Sequence, residues 1–358
     1  MTTPHPDEQF FTRSLMDWHA TENQRSLPWK SEKDPYRIWL SEVILQQTRA
    51  LQGLPYYLRF TETYPTISDM ANADDNEVFR IWQGLGYYNR CKNMLATARY
   101  IASELQGVFP DTYEGIIQLK GIGPYTASAI ASFAYGLPCA VVDGNVYRVL
   151  SRYFGIADPI DSTGGKQRFA ALAQSLLNTT DSAGYNQAIM DIGATVCTPR
   201  KPQCGQCPLQ ARCSAHRAGT IELLPVKSKK IAVRTRYFNY LLLMHNDHLW
   251  IEKRIGNDIW ENLHQPYLVE TENEETLQEL LLHQAVTELC ITGSELKPVG
   301  ATTQRLTHQI IKARFYRIEL ANTPTILGNK GRWLNIAELK KTAFPKTLVS
   351  FLENYIYF

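Results

Sequence analysis

Four cysteines near the middle of the chain, Cys197, Cys204, Cys207 and Cys213, constrain this sequence more than any other feature. Their spacing is C-x6-C-x2-C-x5-C, so four thiols fall within 17 residues. Four thiols this close together point to a shared metal or cluster site. The chain holds seven cysteines, an odd number, and its start has neither a basic region nor an apolar stretch. Reduced thiols or metal ligands are therefore favoured over disulfides. Zinc sites usually combine two close cysteine pairs, and here only Cys204 and Cys207 form one. The uneven spacing suits a [4Fe–4S] cluster, which takes four thiolates; zinc and free thiols remain the alternatives. Arg200, Lys201 and Arg212 among them fit a loop near phosphate or an ordinary solvated surface. Cys91, Cys139 and Cys290 read as packing residues.

At 358 residues the chain suits two domains. A 44% hydrophobic and 20% charged composition is that of a globular protein, not a disordered or fibrous one. With 37 Lys+Arg against 35 Asp+Glu, net charge +2, nucleic-acid contact must come from local patches and oriented backbone. The uncharged stretch Gly121–Val142 is broken at Gly136-Leu137-Pro138 and reads as a buried helix and turn, so no membrane partner is expected. With no signal peptide visible, a cytoplasmic protein is expected, nucleoid-associated if bacterial.

Apolar residues recur at helical spacing in Phe10–His19, Tyr36–Gln47, Asn76–Trp82, Lys92–Leu105 and Arg168–Leu177, with Pro and Gly between them. The first half reads as all-α. Residues 214–234 look like a linker, most clearly over 223–234. Beyond it, Tyr237–Met244 and Leu249–Lys253 flank a turn and predict a β-hairpin, Glu274–Leu289 predicts a helix and Ala313–Leu320 a strand. The expected organisation is an all-α domain over 1–222, a linker over 223–234 and an α+β domain over 235–358.

Leu119-Lys120-Gly121-Ile122-Gly123-Pro124-Tyr125 resembles a helix-hairpin-helix, whose glycines aim backbone N–H groups at a DNA phosphate. Taken alone it is compatible with an ordinary helix–helix turn. About 18 residues on comes Val142-Asp143-Gly144-Asn145-Val146. Asp143 reads as a helix N-cap, a position that keeps a carboxylate ionised. Glu42 lies among Ile38, Trp39 and Leu45 at helical spacing. It is either a helix-surface residue or a desolvated acid whose raised pKa would let it donate a proton near neutrality.

Together with Leu27-Pro28-Trp29, Ser41–Thr48, Gly84-Leu85-Gly86-Tyr87-Tyr88 and the four cysteines, these motifs resemble the helix-hairpin-helix/Gly-Pro-Asp DNA glycosylases. Within that superfamily the match is to the adenine DNA glycosylase (MutY) family, dense over 10–215. The resemblance implies a base-excision-repair enzyme. It would flip adenine out of duplex DNA, where it stands opposite 8-oxoguanine or guanine, and hydrolyse its N-glycosidic bond. Glu42 is then the general acid at adenine N7, and Asp143 the carboxylate facing the sugar C1′, with Asn145 and Tyr125 beside it. Related glycosylase/lyases carry a Schiff-base Lys where Tyr125 stands, so no strong lyase activity is expected. Arg25, Trp29 and Gln187 match adenine-pocket positions. Gln47 and Tyr87 match residues inserted into the DNA stack, and Gly121 and Gly123 belong to the phosphate-binding hairpin. Lys30 stands where the family usually has Arg. Residues 235–358 resemble a Nudix-like domain that recognises 8-oxoguanine, with Leu306-Thr307-His308 in place of the usual Phe-Ser-His. The hydrolase signature is absent from Gln278–Thr292, so binding without pyrophosphate hydrolysis is expected. A monomer is expected. The competing readings are an endonuclease III-like glycosylase/lyase for oxidised pyrimidines and a non-catalytic iron–sulfur DNA-binding protein.

Overall fold

The computed structural model describes residues 6–228, 232–256, 258–290 and 296–355. Lys229, Lys230 and Ile231 of the expected linker, the first five residues, Asn257, residues 291–295 and residues 356–358 lie outside them. Contacts divide the chain into two compact units, Met1–Asn72 with Asn93–Lys229, and Ala73–Lys92 with Lys230–Phe358.

The first unit is helical among the described residues. Its central helix, Pro35–Leu45, starts where Asp34 accepts a hydrogen bond from Tyr36 N and Pro35 presets the first turn. Tyr36, Ile38, Trp39, Leu40, Ser41, Glu42, Val43 and Ile44 are all buried, so this helix is covered on every side. It packs against Pro124–Tyr135, which ends at Gly136 in the left-handed conformation, φ +66. The stretch Gly121–Val142 is thus a buried helix and turn, and no described helix is long and apolar enough to cross a membrane.

A second core gathers Phe11 and Leu15 of Pro6–Thr21, Val149 and Leu150 of Gly144–Phe154, Phe169 of Thr163–Leu176, and Tyr185, Ile189 and Ile192 of Ser182–Thr195. Gly193 lets Ser182–Thr195 come close to the start of Gly144–Phe154. A Cβ there would stand 2.7 Å from the Asn145 Cβ. The segment after Cys213 is not a free linker. It forms the short helix Ser214–Arg217 with Ala215 buried, and the Leu224 carbonyl accepts from Arg152. Val226 O then accepts from Ile160 N.

The second unit is built on a mixed seven-stranded sheet. Its strands are β1 (Arg234–His245), β2 (His248–Lys253), β3 (His264–Gln265), β4 (Tyr267–Thr271), β5 (Lys297–Arg305), β6 (Gln309–Glu319) and β7 (Gly331–Leu334). The spatial order is β3-β2-β1-β6-β5, with β4 on β1 and β7 on β2. The predicted hairpin is present: His245 pairs with His248, and Asn246 and Asp247 both have positive φ, the geometry of a tight two-residue turn. β1 and β6 pair in parallel and carry the core residues Leu241, Leu243, Tyr316 and Ile318. The single helix expected over Glu274–Leu289 is instead two short ones, Leu277–Leu281 and Gln284–Thr287, because the chain turns extended at His283.

Residues 73–92, expected in the helical domain, group with this unit through specific contacts. Asn76 Nδ2 donates to the Lys341 carbonyl at 2.8 Å, and Lys92 Nζ pairs with Glu261 at 2.9 Å. Cys91 is buried, as a packing residue should be, but Cys290 is exposed and does not pack.

Candidate active site and cluster loop

Three helix segments of the first unit bring the expected catalytic residues together. Glu42 sits in the last turns of Pro35–Leu45, Tyr125 in the first turn of Pro124–Tyr135, and Asp143 caps Gly144–Phe154. The Tyr125 hydroxyl donates to Glu42 Oε2 at 2.5 Å. Burial raises the Glu42 pKa to about 7, with the Tyr125 hydrogen bond opposing the rise and the Asp143 charge adding to it. The Tyr125 phenol is pushed well above its ordinary value, first by burial and then by the two carboxylates, so it stays protonated.

Asp143 has a different environment. Its Oδ1 accepts from the backbone N–H of Asn145 and Val146, both at 2.8 Å, and its Oδ2 from Asn145 Nδ2 at 2.7 Å. Burial nevertheless lifts its pKa above the usual value, against the pull of these three donors and of Arg148. Burial thus works against the ionisation that the N-cap position favours. Arg148 in turn holds Asn145, donating to its Oδ1 at 2.8 Å, to Gly193 O at 2.6 Å and to Cys197 O at 2.7 Å. Arg148 and Arg152 were missed in the sequence. The available signal was two arginines four apart on the same apolar-periodic helix, where charge needs a buried partner.

Of the expected pocket residues, Trp29 is buried edge-on to Tyr57 on the turn Pro28–Lys30, and Gln187 lies half-buried on Ser182–Thr195. Arg25 NH1 reaches Asp191 Oδ1 at 2.7 Å. Lys30, the departure from the usual Arg, ion-pairs with the same carboxylate and donates to the Arg25 carbonyl at 2.7 Å. In the hairpin, Gly121 is left-handed, φ +78, and a Cβ would stand 2.7 Å from the Asn93 Cβ, so only glycine fits. Gly123 has an ordinary extended backbone, caps the next helix and faces open space.

Gln47 and Tyr87 share one trait: both are non-glycine residues with positive φ, +56 and +48, and Tyr87 is exposed. Such strain collects where function positions a side chain. In the second unit, Leu306-Thr307-His308 forms the tip of the β5–β6 hairpin, with Thr307 and His308 exposed and Leu306 half-buried. The Tyr87 and Thr307 hydroxyls share a short hydrogen bond, so two motifs 220 residues apart meet.

Cys197, Cys204, Cys207 and Cys213 line a common cavity together with Arg152, and three of the four pack against the core of the helical unit. The donor set of four thiols lining one cavity fits an iron–sulfur cluster, which takes four Cys thiolates. Burial pushes the Cys207 thiol up to about 12, so a thiolate at that position is favoured only beside a cationic partner such as a bound metal. Arg152 NH1 donates to Cys197 Sγ at 3.4 Å and to Thr198 O at 2.8 Å, while Nε holds the Ile221 and Leu224 carbonyls. Arg212, read as either near phosphate or on a solvated surface, pairs with Asp7 and lies over the Phe10 ring.

Comparison with known proteins agrees with this architecture. Residues 40–172 match the profile of the HhH-GPD superfamily of base excision DNA repair proteins, 197–213 that of the iron–sulfur binding domain of endonuclease III, and 239–354 that of the NUDIX domain. The adenine DNA glycosylase of Buchnera aphidicola from Schizaphis graminum is 34% identical over 253 residues, 71% of this chain and 73% of that protein. The human adenine DNA glycosylase is 42% identical over 214 residues, 57% of this chain and 39% of that protein. A thermostable thymine-DNA glycosylase superposes with a TM-score of 0.55 at 28% identity, covering 59% of this chain and 97% of that one. An endonuclease III–DNA complex, at 21% identity and TM-score 0.52, shares the fold. With its iron–sulfur segment and a Nudix-type domain following the helical unit, the chain belongs to the adenine DNA glycosylase family of DNA-binding repair enzymes.

Proposed function

We propose that this glycosylase removes adenine opposite 8-oxoguanine, and opposite guanine, as a monofunctional enzyme acting as a monomer with a [4Fe–4S] cluster on Cys197, Cys204, Cys207 and Cys213. The observation that carries the chemistry is the pair Glu42 and Asp143. One is a buried acid with a pKa of about 7; the other is a carboxylate held by three N–H donors near it.

The target base leaves the stack to be reached. Glu42 gives its proton to adenine N7, and the C1′–N9 bond breaks with its electrons leaving on the base. Asp143 stabilises the oxocarbenium-like sugar through its charge. Water then adds to C1′, and the Glu42 carboxylate takes its proton. Tyr125 tunes Glu42 through their hydrogen bond and offers no amine for a Schiff base, while Lys120 stands exposed. Arg25, Trp29 and Gln187 line the pocket for the base. Gln47 and Tyr87 fill the stack, and the contact between Tyr87 and Thr307 supports a reading of 8-oxoguanine by Leu306-Thr307-His308 next to that wedge.

The test is strand cleavage after alkali on an adenine:8-oxoguanine duplex, with single-turnover rates compared against adenine:guanine. Thr307→Ala with His308→Ala should slow excision opposite 8-oxoguanine about tenfold to a hundredfold and excision opposite guanine less. An equal loss on both duplexes sinks the reading-loop assignment. Elemental analysis finding zinc in place of about four irons per chain sinks the cluster type.

A further inference from the structure

Asp191 lies on Ser182–Thr195, one turn beyond Gln187, and is fully buried. Its Oδ1 accepts from Arg25 NH1 at 2.7 Å, and its Oδ2 accepts from Asn23 Nδ2 at 2.7 Å and from Lys30 Nζ. Asn23 Nδ2 also meets the His19 ring at 2.9 Å. Lys30 closes the arrangement by donating to the Arg25 carbonyl. One carboxylate thus gathers three side chains of the segment 23–30, which carries Arg25 and Trp29, onto the helix that carries Gln187. A buried carboxylate this well supplied with donors holds its partners in one geometry.

We infer that Asp191 is a positioning residue for adenine excision: it sets Arg25 and Lys30 at the pocket and offsets their charge beside a base that must accept a proton. Two cations without the carboxylate would oppose protonation of the adenine ring. The Lys30 substitution for Arg fits this role, because a compact ammonium can serve both Asp191 and the Arg25 carbonyl. The inference rests on the pocket role proposed for Arg25.

Asp191→Asn keeps the shape and removes the charge. With wild type, Arg25→Ala, Asp191→Asn and the double variant, single-turnover excision on adenine:8-oxoguanine and affinity for a duplex with an uncleavable 2′-fluoro-adenosine would be measured. Asp191→Asn should slow excision roughly tenfold to a hundredfold while affinity changes less than about threefold. The double variant should lose less than the product of the two single losses, since Asp191 acts in part through Arg25. Losses that multiply in the double variant, or a rate for Asp191→Asn equal to wild type, would overturn the inference. Arg25→Ala at the wild-type rate would instead remove Arg25 from the pocket and the proposed pocket reading with it. If Asp191→Asn does not fold, Lys30→Met carries the test from the other side: a slower rate at unchanged affinity supports the clamp, and an unchanged rate contradicts it.

Discussion

The wall around Glu42 and the helix end around Asp143 both bury a carboxyl group, but they face it with different numbers of donors. Glu42 stands in a helix buried on all sides and accepts a hydrogen bond from the Tyr125 hydroxyl, so desolvation dominates and its pKa reaches about 7. Asp143 is also buried, but it meets two backbone N–H groups, an amide and the field of Arg148, all of which favour the charged form. The lesson is that burial alone does not assign a role. Desolvation raises both carboxyls, and the donors facing Asp143 oppose that rise more than the single Tyr125 hydroxyl does at Glu42.

The sharpest break of that contrast is Glu42→Gln. The amide keeps the shape but has no proton to give at neutral pH, so excision should fall at least about a thousandfold while DNA affinity survives. Excision within tenfold of wild type would remove Glu42 from the acid role. Next is Asp143→Asn. Asn caps helices as well as Asp does, so the fold should hold while the charge is lost. Single-turnover excision should drop roughly a hundredfold to a thousandfold, and a drop matched by a lower melting temperature would point to structure instead. The smallest effect is on stability. The folded chain holds the Glu42 proton up to about pH 7, whereas an unfolded carboxyl releases it near 4.5. Stability therefore falls as pH rises between those values and stays reduced above them. Glu42→Gln should be more stable than wild type at pH 8, by about 1–3 kcal/mol, with no such gain at pH 4. Melting curves at the two pH values measure it.

Much of this was legible in the sequence. The helix–hairpin–helix, the cysteine quartet and the Asp143 cap are local patterns with fixed spacing, and each holds in the structure. Glu42 among Ile38, Trp39 and Leu45 already offered a desolvated acid, but only the full cover of its helix decides between that and a surface position. The clamp on Asp191 was out of reach, since its partners lie more than 160 residues away. The same holds for Tyr87 and Thr307. In the second unit, the β1–β2 hairpin was announced by its turn residues. The helix over 274–289 was not recognised as two, because apolar periodicity runs through His283 where the backbone does not.

The pH dependence of the single-turnover rate tests the central claim most directly. If buried Glu42 must carry a proton to start the reaction, the rate on adenine:8-oxoguanine should decline above about pH 7, approaching tenfold per pH unit. Glu42→Asp, if it retains activity, should shift that decline. A rate that stays flat or rises from pH 6 to pH 9 would contradict the assignment of Glu42 as the acid.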